Sequence, residues 1–122
     1  MFVINLIGQN QIDSLFKFVK NSSETEKANA LLQLSDIYRE IDLDSSYEFA
    51  SQALIRAKNI KNDEFQALAL KKLGLVYYYA GMVDSSLSYF EQSLAVFKRV
   101  DDKYEQANLV NNLGILISDK GD

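Results

Sequence analysis

Residues 70–77 read LKKLGLVY, and 40 positions later residues 110–117 read VNNLGILI. Both stretches place a leucine–glycine pair between apolar residues. An earlier copy, LLQLSDIY at residues 31–38, stands 39 positions before the first and has Ser35 in the place of Gly74. Self-similarity at a fixed spacing is typical of repeat proteins, in which each repeat is one supersecondary unit. The sequence therefore predicts an array of units with a period of about 40 residues.

The other half of the unit recurs as well. Residues 83–86 read VDSS and match LDSS at residues 43–46, again 40 positions apart. The copy at 31–38 is one residue closer to its partner because a residue is missing near position 41, where Gly81 stands in the next unit. Length changes of this kind are tolerated at turns. Each unit therefore consists of two recurring segments joined by a turn.

Both segments carry apolar residues at helical spacing. In the middle unit these residues lie three or four positions apart, as in a helix with one buried face, and they are Ala67, Leu70, Leu73, Val76, Tyr77, Val83, Leu87, Phe90, Leu94 and Phe97. No strand pattern competes, except weakly over residues 2–7. The periodicity predicts a partial helix near 11–20 and full helices near 24–40, 44–60, 63–80, 84–100 and 103–120.

Helix-start and helix-stop residues agree with these limits. Ser23 with Glu26, and Asp102 with Glu105, have the spacing of a capping box. Short polar side chains open the second segments and predict two further N-caps, at Asp44 and Asp84. Gly81 predicts a tight helix–helix turn because glycine adopts a positive φ after a helix without steric cost.

Two glycines fall in the middle of predicted helices. Gly74 and Gly114 each cost about 1 kcal/mol relative to alanine at such positions. A cost that recurs at the same place in each unit predicts that the paired helix crosses too closely there for a side chain. Ser35 fills the same place in the first unit.

Composition excludes several classes of function. The 122 residues contain no histidine and no cysteine, which removes Cys/His zinc sites, imidazole acid–base catalysis and disulfides. The net charge of −4 argues against binding to nucleic-acid phosphates. No run of about 18 apolar residues is present to span a membrane. We expect neither an enzyme nor a cofactor.

The sequence gives little information about the cellular location of the protein. The apolar segment before residue 8 lacks a basic flank, which disfavours a signal peptide. We expect a cytoplasmic location, with the periplasm as the alternative if a signal peptide lies outside this sequence.

The motif resembles the tetratricopeptide repeat. That family's signature combines an apolar residue, a Leu-Gly pair, an aromatic residue, then a small residue and a second aromatic residue, and the middle unit supplies Leu70, Leu73, Gly74, Tyr77, Ser86 and Phe90. The resemblance implies an all-α fold of antiparallel helix hairpins stacked in a right-handed solenoid. It divides residues 1–122 into a partial helix or cap (1–20), repeat 1 (21–61), repeat 2 (62–101) and the first helix of a truncated repeat 3 (102–122).

The sequence departs from the family in two ways. The family's usual period is shorter, at about 34 residues, and Lys98 stands where the family has proline. The longer period is similar to that of the branch found in sensory regions of bacterial regulators and histidine kinases. Because residues 120–122 occupy the place of a turn into a further helix, the sequence also resembles a fragment of a longer array.

The resemblance implies that the chain is a non-catalytic module of a bacterial regulatory or signalling protein. Such a module would bind a protein or peptide in a concave groove. Groove contacts would come from the unpaired face of each first helix, and the candidates are Asp36, Arg39, Lys71, Leu75, Tyr78, Tyr79, Asn108 and Asn111, with Ile115 and Ser118 on the same face. In the alternative for Tyr78 and Tyr79, both rings simply pack against the next unit.

A second hypothesis is structural. The helices at both ends of the sequence lack the neighbour that an internal unit would give them, so residues 11–20 and 103–120 are candidate surfaces for self-association. The protein would then act as an oligomerisation scaffold through its terminal helices.

Overall fold

The computed structural model describes residues 6–121, which form six α-helices and no strand. The fold class is therefore all-α, as predicted. The helices are α1 (Leu6–Asn21), α2 (Glu24–Tyr38), α3 (Leu43–Asn59), α4 (Asp63–Tyr79), α5 (Val83–Arg99) and α6 (Lys103–Gly121). From α2 onward every limit lies within two residues of its prediction.

Helix α1 begins earlier than predicted. It starts at Leu6 rather than near residue 11, and a hydrogen bond between the side chains of Gln9 and Asp13 (3.0 Å) spans its first turns. The weak strand pattern over residues 2–7 is wrong for Leu6 and Ile7, while residues 2–5 lie outside the described part of the chain. Apolar runs this short do not separate a strand from a helix.

Three helices end in the same way, at equal intervals along the chain. Lys61, Gly81 and Asp101 have φ values of 55°, 77° and 60°. The backbone N–H of the next residue donates in each case to the carbonyl five residues earlier, as in Met82 N to Tyr77 O at 2.9 Å. This is the Schellman ending, which satisfies carbonyls that the helix leaves free. The predicted turn at Gly81 is confirmed.

Helix α2 ends without a left-handed residue. The N–H of Asp42 reaches back only four residues, to the carbonyl of Tyr38 at 2.8 Å. The residue that is missing from the first unit is therefore the one that would adopt a positive φ. The prediction of a one-residue gap in this turn is confirmed.

Two of the four predicted N-caps are right. The side chain of Ser23 accepts from Glu26 N (3.2 Å) and that of Asp102 accepts from Glu105 N (3.0 Å). The N-caps predicted at Asp44 and Asp84 are wrong, because α3 and α5 begin at Leu43 and Val83, with Asp42 and Met82 as the caps. The turns are short enough that Met82 closes α4 and opens α5 through its backbone.

Each helix packs on the next one in the chain, and α2 also packs on α4. At the crossing of α4 and α5, a Cβ added to Gly74 would lie 2.5 Å from the ring of Phe90, which is buried. The hydroxyl of Ser86 donates to the carbonyl of Gly74 (2.7 Å). The close crossing predicted at Gly74 is confirmed.

The same crossing recurs between α2 and α3. Ser35 and Ser46 are buried, and each hydroxyl donates to the other residue's carbonyl, at 2.9 and 2.6 Å. Ser46 is the counterpart of Ser86, so both hairpins use a buried serine on the second helix at this point. Gly114 differs from both positions, since an added Cβ there would meet nothing within 4 Å. The prediction of a close crossing is therefore not met at Gly114 within the described residues.

A tyrosine cluster joins α3, α4 and α5. The ring of Tyr77 stacks on Tyr89 (centroids 5.4 Å apart) and meets Tyr47 edge-on at 6.1 Å. Burial, and then the neighbouring phenols, raise the pKa of Tyr77 above its ordinary value.

Candidate partner-binding surface

The predicted contact residues lie on three helices that alternate along the chain. Helix α2 carries Asp36, with Arg39 at its C-cap, α4 carries Lys71, Leu75, Tyr78 and Tyr79, and α6 carries Asn108 and Asn111. Because α2 packs on α4, residues on these two helices come together although they lie far apart in the sequence. The structure brings all of the set except Asn108 and Asn111 into one cavity and two charged groups.

The cavity lies between α4 and α6 and has a volume of about 220 Å³. It is lined by Leu75, Tyr78, Tyr79, Phe90, Asn112, Ile115 and Leu116. Phe90 and Leu116 are buried, whereas Tyr78 and Tyr79 remain 38% and 51% exposed. The two tyrosine rings meet at an angle of 67° with centroids 6.3 Å apart. They are therefore not simply packed away against the next helices, and they leave an apolar surface open.

A charged group adjoins this cavity. Asp36 accepts from Lys72 Nζ at 2.8 Å and also from the guanidinium of Arg39. The Arg39 guanidinium lies 5.7 Å from the centroid of the Tyr79 ring, within the range of a cation–π contact. One carboxylate here faces two cations, so the three side chains together have a net positive charge, although the carboxylate is 43% exposed and the cations of Arg39 and Lys72 only 13% and 15%.

Lys71 belongs to a different group. Its Nζ lies 2.8 Å from the Glu105 carboxylate on α6, and the two side chains are only 15% and 16% exposed. This ion pair joins α4 to α6 and occupies the Lys71 ammonium. Substitution of Lys71 would therefore disturb the packing of the helices as well as any contact with a partner.

The two asparagines of α6 lie apart from the cavity lining. Asn111 borders a shallow depression with Val110, Gly114 and Ser118, and Asn108 is half-buried. Neither amide has a hydrogen-bond partner among residues 6–121. Both amides are thus available as donors and acceptors on this helix.

Sequence reasoning missed four residues of the surface. Lys72 pairs with Asp36, and Phe90, Asn112 and Leu116 line the cavity. No sequence signal indicated the pairing of Lys72, because it depends on how α2 and α4 lie against each other. Phe90 was predicted only as a core residue, and its ring is in fact both core and cavity floor.

Two other features are absent from the described helices. Over residues 6–121, no three acidic side chains converge as metal ligands. None of these helices is both long enough and apolar enough to cross a membrane.

Comparison with known proteins does not assign the chain to a family. No family model matches the chain, and no curated protein or solved structure matches it. The resemblance to the tetratricopeptide repeat remains a prediction from the sequence.

Proposed function

We propose that this protein is a non-catalytic module that binds a protein or peptide on the surface formed by α2, α4 and α6. The cavity between α4 and α6 is the observation that carries this proposal, since it combines exposed tyrosines with a buried apolar floor. Tyrosine and arginine are among the residue types most often found at the energetic centre of protein interfaces.

The size of the cavity supports a partner side chain rather than a small molecule. Sites for drug-sized ligands occupy about 300–1,000 Å³, whereas this cavity has about 220 Å³. A space of this size holds one leucine or phenylalanine side chain of a longer segment. The rest of that segment would lie over the exposed faces of α4 and α6.

The charged group beside the cavity favours a partner segment that carries a negative charge. Arg39 and Lys72 outnumber Asp36, and Arg39 touches the same tyrosine ring that lines the cavity. A partner segment with a carboxylate next to its bulky apolar residue would pair with that excess charge. Such charge-assisted hydrogen bonds are stronger than neutral ones.

The architecture we propose is a right-handed solenoid of the tetratricopeptide type. Its support is the regular recurrence of helix ends, the matching serine contacts of the two hairpins, and the packing of α2 on α4. In such a solenoid the first helices line the concave side. We further propose that the module belongs to a larger bacterial regulator, which rests on the length of the repeat alone.

Selection from a displayed library of short random peptides tests the binding function. We expect enriched peptides to combine a bulky apolar residue with Asp or Glu, and to lose at least about 30-fold in affinity for a Tyr78→Ala/Ile115→Ala variant. That loss corresponds to about 2 kcal/mol, the threshold for an interface hot spot. Both side chains are substantially exposed, so the variant should keep its helical circular dichroism.

Tyr104→Ala is the matched control, because Tyr104 is an exposed tyrosine of α6 that does not line the cavity. It should bind the same peptides as well as the unmodified protein does. Peptides that bind the Tyr78→Ala/Ile115→Ala variant equally well, or a library from which nothing is enriched, would contradict the proposal.

A further inference from the structure

Helix α6 exposes a face that its counterparts bury. Ala67, Leu70 and Gly74 on α4 are covered by α5, and the matching residues on α2 are covered by α3. The equivalent face of α6, here called the α6 face, consists of Ala107, Val110, Gly114 and Ile117. Val110 and Ile117 are 57% and 62% exposed, and nothing in the described chain lies within 4 Å of a Cβ added to Gly114.

A complementary concavity lies between α1 and α2. Its volume is about 480 Å³, and its lining, here called the α1–α2 groove, is Gln11, Ser14, Leu15, Phe18, Glu26, Asn29, Ala30 and Gln33. The repeat maps this lining onto α3 and α4, where Ala53, Leu54 and Ala69 are the equivalents of Ser14, Leu15 and Ala30. Between α3 and α4, the space equivalent to the α1–α2 groove is filled by Leu31 and Leu32 of α2.

We propose that the α6 face of one copy of this chain docks into the α1–α2 groove of a second copy. The occupant follows from the packing inside the chain: a first helix fills the same groove between α3 and α4, and another fills it between α5 and α6. Helix α6 is a first helix of the same kind, and its matching face is open.

The contacts of the α4–α5 hairpin give the expected contacts of this junction. Ser93 donates to the carbonyl of Ala67 at 2.7 Å, and Phe97 is fully buried. Two repeats earlier in the sequence, Ser14 and Phe18 of α1 are the counterparts of Ser93 and Phe97. Ser14 of one copy should therefore donate to the carbonyl of Ala107 in the other, and Phe18, which is 43% exposed, should become buried.

Polar groups on the two surfaces also match. The α1–α2 groove contains three side-chain amides, from Gln11, Asn29 and Gln33. Helix α6 brings Asn111 next to Val110, at the edge of its open face. Amides that both donate and accept can satisfy one another when water is removed.

Like charges oppose the junction at one place. In both hairpins an acidic residue in the first turn of the first helix pairs with an arginine near the end of the second, namely Glu24 with Arg56 (2.7 Å) and Asp63 with Arg99 (3.6 Å). The equivalent residue of α6 is Lys103, and it would face Lys17 and Lys20 of the second copy. Like charges weaken the junction, so replacement of Lys103 by aspartate should strengthen it.

The proposed contact joins two different surfaces. Because such head-to-tail contacts do not close on themselves in a pair, association should continue beyond a dimer. A dimer formed by two α6 faces would instead stop at two copies. This difference makes the two arrangements distinguishable by sedimentation velocity at submillimolar concentrations.

The test mixes two variants that are each blocked on one surface, in a Lys103→Asp background. Phe18→Glu blocks the α1–α2 groove, and Ile117→Asp blocks the α6 face; both side chains are exposed, so both variants should stay folded. We expect each variant alone to be a monomer and the mixture to form a one-to-one dimer. The Lys103→Asp change should tighten association about 10-fold relative to Lys58→Asp, a control with the same change in charge on α3.

The alternatives give different results. If Phe18→Glu alone forms dimers, α6 pairs with itself and the proposal fails. It also fails if the mixture remains monomeric, or if Lys103→Asp and Lys58→Asp behave alike. The cavity proposed for peptide binding is lined by residues outside both the α6 face and the α1–α2 groove, so either proposal can fail while the other stands.

Discussion

Gly74→Ala is expected to lower the free energy of unfolding by about 1 kcal/mol, although alanine is the better helix former. The added methyl group would lie 2.5 Å from two ring carbons of Phe90. Phe90 is only 1% exposed, so its ring cannot move away into solvent. Overpacking of a core costs about 1–3 kcal/mol, and the middle of that range exceeds the gain of about 1 kcal/mol from helix propensity by about 1 kcal/mol. Urea denaturation followed by circular dichroism measures the difference.

Gly114→Ala is the matched control, since Gly114 occupies the equivalent place on α6 and has no neighbour within 4 Å in the described chain. There the helix propensity acts alone, so the variant should be more stable by up to about 1 kcal/mol. The two substitutions should thus have opposite signs. Stabilisation by Gly74→Ala would show that α5 does not cross α4 at this point.

Phe90→Ala should cost more than any other single change discussed, about 3–5 kcal/mol. The ring is buried in the cluster that joins α4, α5 and α6, where it packs with Phe97 and Leu109. Its removal also opens the floor of the cavity beneath Tyr78 and Tyr79. Denaturation in urea measures this loss, and Tyr104→Ala, on an exposed ring, should change stability by less than about 0.5 kcal/mol.

The first unit indicates how Phe90 and Gly74 depend on each other. At the equivalent positions it has Ala50 and Ser35, so a smaller side chain on α3 accompanies a larger one on α2. Gly74→Ser should therefore be harmful in the native protein and harmless once Phe90 is alanine. A double-mutant cycle should give a coupling of about 1–3 kcal/mol, as for residues in contact. Additive effects would contradict the close crossing.

Much of the fold could be predicted because helical spacing and repetition reinforce each other. Leu70, Leu73 and Val76 define a buried face in one unit, and the same apolar spacing recurs in the sequence before and after it. The glycine at 81 marked its turn, but the turns at Lys61 and Asp101 have the same positive φ without glycine. The residue types at 61 and 101 therefore gave no indication of a positive φ. The equal spacing of these two positions on either side of Gly81 did indicate turns there.

The N-caps at Asp44 and Asp84 were wrong for a related reason. Both residues have the side chains that favour caps, yet the backbone bonds of the preceding turn fix where each helix begins. Met82 takes part in the ending of α4, and its carbonyl accepts from Ser86 N (3.1 Å), so α5 starts one residue before Asp84. Side-chain preference was outweighed by the length of the turn.

The candidate surface was predictable in outline but not in its pairings. The resemblance to the tetratricopeptide repeat implied Leu75, Tyr78 and Tyr79 as groove residues of α4, and the structure places all three around one cavity. The ion pairs of Asp36 with Lys72 and of Lys71 with Glu105 connect residues 36 and 34 positions apart. Such pairs depend on how two helices lie against each other, which spacing along one helix does not determine.

Packing of α2 on α4 joins the two hairpins into one continuous surface. Leu31 and Leu32 of α2 belong to the same buried cluster as Ala69 of α4. Nuclear Overhauser spectra of methyl-labelled protein should show cross-peaks between the Leu32 and Ala69 methyl groups, besides those between α2 and α3. Cross-peaks within each hairpin but none between α2 and α4 would contradict the account, because the hairpins would then form without a shared surface.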